Sequence, residues 1–146
     1  MLIMSTALSR PLTRSLTYAG ALPFLILMVP GLPFFDAAAR LSAFLAYGAV
    51  IAGFMAGTLW GLVQRDDEVP VAPLIASNVL ALAAWASLLL SPGEIALAVQ
   101  FCAFLGLLAV DRHLAGQGLE QSWYWQLRLR ITGIVCLAYA VRIVLG

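Results

Sequence analysis

The sequence has very little charge. Asp, Glu and Arg together make up 10% of the 146 residues, Lys is absent, and 63% of the residues are hydrophobic. A soluble domain carries roughly a quarter charged residues, enough to cover its water-facing surface. Here the apolar side chains must face lipid as well as one another. The net charge of +1 gives no attraction for nucleic acid, so we expect a lipid bilayer, and no nucleic acid, as the partner of this chain.

Residues that hold metals or carry out catalysis are also scarce. Cys102 and Cys136 lie in apolar stretches without a second ligand at metal-binding spacing, and His113 is the only histidine. The sequence has no glycine-rich phosphate loop and no nucleophile beside a plausible base. The acidic run at 66–68 favours a solvated loop over a divalent-ion site. We therefore expect no metal, no cofactor and no enzymatic activity.

Long apolar runs dominate the chain instead. Five of them have about the length of a membrane-spanning helix: 16–35, 41–63, 71–90, 95–111 and 125–145. They predict an all-α, polytopic helical bundle that forms one transmembrane domain over 1–146. Pro23 should kink the first span, whereas Pro30 and Pro33 should end it. The turn residues at 91–94 predict a hairpin of the third and fourth spans.

The distribution of arginine predicts the orientation. Cytoplasmic loops are enriched in basic residues. With the N-terminus inside and the C-terminus outside, two arginines are external, Arg40 and Arg142, and six are internal: Arg10, Arg14, Arg65, Arg112, Arg128 and Arg130. We therefore expect the N-terminus inside.

Small residues recur every four positions in the second span, at Ala49, Gly53, Gly57 and Gly61. Four-residue spacing places them on one helix face, where another backbone can approach closely. A weaker counterpart lies in the fourth span, at Ala98, Cys102 and Gly106. Both grooves are expected to pack inside the bundle, with docking of a partner chain as the alternative.

Polar side chains inside the spans are few and uncharged. Asn78 and Gln100 are interpreted as interhelical hydrogen-bonding residues rather than ligands, because their depths in the bilayer differ. A carrier would instead need a continuous polar path through Asn78, Thr58, Tyr47 and Gln100.

The segment before the fifth span concentrates the remaining polar and aromatic residues. We interpret it as a cluster on the inner membrane face, in which Asp111 pairs with Arg128 or Arg130 and the aromatic residues form an interfacial belt. Its members are Asp111, Arg112, His113, Trp123, Tyr124, Trp125, Arg128 and Arg130.

Three segments resemble a known family. They are the run from Leu45 to Gly61, the run from Tyr18 to Phe24, and Asp111-Arg112-His113-Leu114 with Trp123-Tyr124 and Leu127-Arg128. Together they are similar to the DUF3429 family, whose animal relatives are called transmembrane protein 69. The family often has His before the Trp-Gly pair, where this chain has Leu59. The resemblance implies a five-span protein of the bacterial inner membrane, or of the mitochondrial inner membrane in a eukaryote, and it implies no catalytic residues.

These observations favour an association role. We expect a structural, accessory or assembly subunit that packs against a larger membrane complex of respiration or photosynthesis, or else forms a homo-oligomer. An oligomeric small-solute channel or carrier is the alternative, and a membrane enzyme that uses Asp111, Arg112, His113 and Arg128 is a third.

Overall fold

Helices account for nearly all of the ordered backbone. The computed structural model describes residues 3–65, 67–90 and 93–146, with side chains from residue 9 onward, and contains no strand within those ranges. The six α-helices are α1 (Ile3–Ala19), α2 (Leu22–Met28), α3 (Ala37–Val63), α4 (Val71–Ala86), α5 (Gly93–Gly116) and α6 (Ser122–Leu145), and a 3₁₀ turn at Ser87–Leu89 extends α4. The all-α prediction is therefore confirmed.

The four long helices form an up-and-down bundle. Helix α3 packs against α4 and α5, and α5 also packs against α4 and α6. The expected turn between α4 and α5 falls partly outside the described residues, at Ser91 and Pro92. One end of the bundle, here called the loop end, holds the connection between α5 and α6. The other, here called the C-terminal end, holds the start of α3 and the end of α6.

The first predicted span, 16–35, is not one helix. Helix α1 stops at Ala19, α2 covers only Leu22–Met28, and the chain is non-helical from there to α3. Pro23 occupies the first turn of α2, where its missing N–H costs nothing. Val29 is extended, as expected of the residue before Pro30. The helix therefore ends before Pro30 as expected, whereas Pro23 begins a separate helix and does not kink a continuous span.

Within the described residues, three helices and not five are long and apolar enough to cross a bilayer: α3, α4 with its 3₁₀ extension, and α5. The predicted number of spans was therefore too high. The fifth predicted segment does form a helix of 24 residues, α6. However, its sequence includes Arg128, Arg130 and Arg142, which lower its mean hydropathy.

An aromatic cluster fills the centre of the bundle. Phe24 of α2 is fully buried, and its ring lies 5.3 Å from that of Phe44, 6.1 Å from that of Phe104 and 5.9 Å from that of Tyr139. Aromatic contacts of this kind stabilise by about 1 kcal/mol each beyond the area they bury. Phe24 thus anchors short α2 between α3, α5 and α6, and Leu27 and Met28 pack against the same core.

Candidate functional site

A buried ion pair lies at the loop end. Asp111 is completely buried five residues before α5 ends, and Arg128 is 4% exposed in the second turn of α6. Arg128 Nε donates to Asp111 Oδ2 at 2.7 Å, and Arg128 Nη2 donates to the Met55 carbonyl of α3 at 3.4 Å. Of the two partners that the sequence allowed for Asp111, the structure selects Arg128, whereas Arg130 is exposed. The pair therefore links α3, α5 and α6.

A second carboxyl group joins this pair. Glu120, in the loop between α5 and α6, is 8% exposed, and its carboxyl group lies close enough to Asp111 for the two charges to interact. Burial, followed by the nearby charge of Asp111, raises the pKa of Glu120 to about 8, although Arg128 opposes the shift. The raised pKa favours the protonated, uncharged form of Glu120 near neutral pH.

The other members of the predicted inner-face cluster divide into two groups. Arg112, His113 and Arg130 are exposed, and the His113 ring hydrogen-bonds to Gln117, the residue just after α5. The aromatic residues Trp123, Tyr124 and Trp125 are half-buried. The structure therefore brings Asp111 and Arg128 together and leaves the remaining polar members facing outward.

Aromatic residues connect α1 to this end of the bundle. The guanidinium groups of Arg10 and Arg14 lie 5.4 and 5.8 Å from the Trp123 ring, and that of Arg128 lies 5.9 Å from the Tyr124 ring. Cation–π contacts at partly exposed positions contribute about 0.5–1 kcal/mol each. They hold the polar face of α1 against the start of α6.

Two cavities adjoin the buried charges. One, of about 280 Å³, is lined by Arg65, Glu120, Trp123 and Tyr124 among others. The second, of about 490 Å³, lies between α1, α3 and α6 and includes Arg128 in a mostly apolar wall. Thr58 and Tyr124 line both. A small molecule with one polar group would fit the chemistry of these walls.

No metal centre is formed by the described residues, which contain no group of three or more His, Cys, Asp or Glu side chains suited to a metal ion. The acidic run at 66–68 includes Asp66, which lies outside those residues.

Gln100 lies at the centre of the bundle and connects several helices. Its Nε2 donates to the carbonyls of Leu45 and Ala84 at 2.9 and 3.2 Å and to Ser87 Oγ at 3.0 Å. The Tyr139 hydroxyl donates to Gln100 Oε1. Gln100 thus links α3, α4, α5 and α6, as expected of an interhelical hydrogen-bonding residue.

Asn78 behaves differently from Gln100. Its Nδ2 donates to the Leu74 carbonyl of its own helix at 2.8 Å, and the side chain is half-buried. A bond of this kind satisfies the amide locally and makes no connection between helices.

The glycine stripe on α3 faces away from the bundle. Gly53, Gly57 and Gly61 are exposed, and a Cβ added at any of them would meet no atom within 4 Å. The expectation that this stripe packs inside the bundle was therefore wrong at these three positions. Ala49 is half-buried at its start.

The counterpart stripe on α5 is mixed. Ala98 and Cys102 are exposed, whereas a Cβ on Gly106 would lie 2.8 Å from a methyl group of Leu80. Gly106 therefore allows α4 to pack closely against α5, and the first two residues remain outside that contact.

Comparison with known proteins places the chain in a family. The sequence model of the family described as "Protein of unknown function (DUF3429)" matches residues 9–144. The chain belongs to the DUF3429 family. This confirms the resemblance drawn from the three sequence segments, and the match includes every helix of the bundle. No curated protein and no solved structure matches this DUF3429 chain.

Several buried polar residues of this DUF3429 protein were missed by sequence reasoning. Glu120 stands in a polar loop, and nothing in its neighbours indicates that it turns inward. Arg40 and Arg142 are 6% and 3% exposed, although both were assigned to an external surface. A signal was present for Arg142, because a single arginine inside an otherwise apolar run must find a polar partner or reach water.

Proposed function

We propose that this DUF3429 protein is a non-enzymatic accessory or assembly subunit of a larger membrane complex, and that the glycine stripe on α3 receives a transmembrane helix of its partner. The observation that carries the proposal is the open space over Gly53, Gly57 and Gly61. Within a bilayer, helices associate through close packing, because lipid is as apolar as the side chains. A stripe without side chains, left uncovered by the protein's own helices, suits such packing.

The proposed setting is the bacterial inner membrane, or the mitochondrial inner membrane if the source is eukaryotic. Complexes of respiration or photosynthesis are the proposed hosts, and no cofactor is required of this chain. The large apolar side chains beside the stripe support a helical partner, since Val50 is 66% exposed and Phe54 is 73% exposed. They lie four residues apart on one side of the stripe, where they would pack along an incoming helix.

Copurification in mild detergent tests the proposal. Gly57→Leu adds a side chain in open space, so the protein should fold normally and lose its stoichiometric partner. Gly133→Leu is the matched control, because Gly133 is an exposed glycine of α6 whose added Cβ also meets nothing within 4 Å. The control should retain the partner. A monodisperse wild-type particle that carries no stoichiometric protein would contradict the proposal.

A small-solute channel or carrier is a second candidate, supported by the two adjoining cavities at the loop end. The polar path that such a role would need is interrupted, because Thr58, Tyr47 and Asn78 each donate to a different backbone carbonyl. An oligomer would have to supply the rest of the pathway. Flux of a panel of neutral solutes into proteoliposomes tests this role, and wild-type flux equal to that of empty liposomes would rule it out.

A further inference from the structure

Two buried arginines lie at the C-terminal end of the bundle. Arg40 is in the first turn of α3 and Arg142 in the last turn of α6, and they are 6% and 3% exposed. Arg40 lies close enough for its charge to act on the Arg142 guanidinium. In both residues the Nε–H is buried and has no hydrogen-bond partner.

No anion of the described chain neutralises this pair. The Arg128–Asp111 ion pair lies at the opposite end of the bundle. Asp36, the acidic residue closest to Arg40 in sequence, accepts from the backbone N–H of Ala39 as the N-cap of α3. Glu94, in the first turn of α5, is exposed and forms no salt bridge with either arginine.

Such an arrangement is costly without a ligand. Arginine does not lose its proton in proteins, so both guanidinium groups remain positively charged. A buried Nε–H without an acceptor is costly, and a second positive charge nearby increases that cost. The contrast with Arg128 is direct, because that buried arginine has a carboxylate and a carbonyl as acceptors.

The surroundings indicate which anion would complete the site. Helix α5 begins beside it, since a Cβ on Gly93 would lie 2.6 Å from the side chain of Leu41. The positive end of a helix dipole favours an anion there. The same end of the bundle exposes large apolar residues, including Phe34 at 91% and Val144 at 80%. Apolar side chains next to buried arginines are typical of the level where lipid phosphates lie.

We propose that Arg40 and Arg142 together bind one phosphate group at the C-terminal end of the bundle. Planar guanidinium groups match phosphate oxygens in paired hydrogen bonds, and both of them can donate to the oxygens of one phosphate group. The phosphate belongs either to a lipid headgroup or to a free phosphate ion. This proposal is independent of the partner docking proposed for α3.

Ligand-dependent thermal stability of the purified full-length protein tests the site. The first probe is a short-chain phosphatidylglycerol, and its control is a matched short-chain diacylglycerol without phosphate. The second probe is inorganic phosphate, and its control is sodium chloride at equal ionic strength. Phosphate-bearing probes should raise the melting temperature of the wild type above their controls. Arg40→Gln and Arg142→Gln should each weaken the apparent affinity by about tenfold or more, as loss of one charge-assisted hydrogen bond implies. Arg130→Gln, an exposed arginine on the same helix as Arg142, is the matched control and should bind as the wild type.

The two sources give different results. Stabilisation by the phosphatidylglycerol alone identifies a lipid headgroup, whereas equal stabilisation by inorganic phosphate identifies a free-anion site. The proposal is overturned if neither phosphate probe exceeds its control in the wild type, a measurement that does not depend on any variant folding. It is also overturned if the shifts persist undiminished in Arg40→Gln and Arg142→Gln.

Discussion

Gly48 is the position where a single methyl group would disturb the centre of the bundle. It is buried in α3, and a Cβ there would overlap the Tyr139 hydroxyl and Gln100 Oε1. The hydrogen bond between those two side chains therefore exists only because α3 has no side chain at this point. The sequence analysis identified Gln100, but it predicted the glycines of the outer stripe, and not Gly48, to be the packing positions. Spacing alone does not show which face of a helix turns inward.

We expect Gly48→Ala to destabilise the protein by about 1–3 kcal/mol, the usual cost of overfilling a packed core. Thermal or denaturant unfolding in detergent measures it. Gly133→Ala is the control, because its methyl group enters open space and alanine is favoured over glycine in a helix by about 1 kcal/mol. Equal stability of the two variants would show that the Gln100–Tyr139 contact does not constrain Gly48.

Glu120 should make stability depend on pH. In the unfolded chain its carboxyl ionises near the ordinary pKa of 4.5, whereas burial and the charge of Asp111 raise its pKa to about 8 in the folded protein. Between these values the folded protein retains a proton that the unfolded chain has released. Stability should therefore fall as pH rises from about 4.5 to about 8 and then level off, by about 1.4 kcal/mol for each unit of pKa difference at most.

Glu120→Gln isolates this contribution, because glutamine keeps the shape of the protonated side chain without ionising. The melting temperature of the wild type should decline relative to that of the variant across this pH range. Parallel curves for the two proteins would show that Glu120 ionises as it does in water.

At the scale of elements, the break between α1 and α2 is held by one hydrogen bond from α3. The Tyr47 hydroxyl donates to the Gly20 carbonyl at 2.7 Å. Prolines predicted that this segment would be irregular, and Pro30 does follow the end of α2 closely. The position of the break could not be read from the sequence, because it depends on Phe24 entering the aromatic cluster and on Tyr47 meeting the freed carbonyl.

We expect Tyr47→Phe to loosen this junction. The variant keeps the aromatic contact with Phe24, whose ring centroid is 5.0 Å away, and loses only the hydroxyl. The loss should cost about 1 kcal/mol, as for a typical hydrogen bond. Amide hydrogen exchange should increase at α2 while α4 and α5 remain protected. Exchange rates at α2 equal to those of the wild type would show that the Tyr47 hydrogen bond does not hold this junction.

For the whole molecule, apolar runs are a good guide to helices and a poorer guide to the number of crossings. Helices α3, α4 and α5 match their predicted spans closely, because a long apolar run leaves few alternatives to a helix in lipid. Helix α6 has the expected bounds, but Arg128 and Arg142 are buried against other helices instead of reaching water. A local sequence pattern does not predict tertiary contacts of this kind, and it does not predict that Glu120 turns inward.

The predicted orientation can be tested on intact cells. Phe34→Cys reports on the C-terminal end and Gln117→Cys on the loop end, since both positions are exposed. In a background with Cys102 and Cys136 replaced by serine, a membrane-impermeant maleimide should label position 34 directly and position 117 only after permeabilisation. The reverse pattern would contradict an N-terminus inside the cell.

The layout of charge has an electrical consequence. The sequence holds no Asp, Glu, Lys, Arg or His from 41 to 64 or from 95 to 110, so the ion pair at one end and the arginine pair at the other are separated by a neutral layer. An ion that entered this layer would lose its hydration shell. The aromatic cluster and the already hydrogen-bonded Gln100 side chain could not replace that hydration, so entry would cost several kcal/mol. A membrane potential of about 100 mV supplies only about 2.3 kcal/mol per charge. An ion crossing that layer within one chain would therefore meet a barrier larger than this potential supplies.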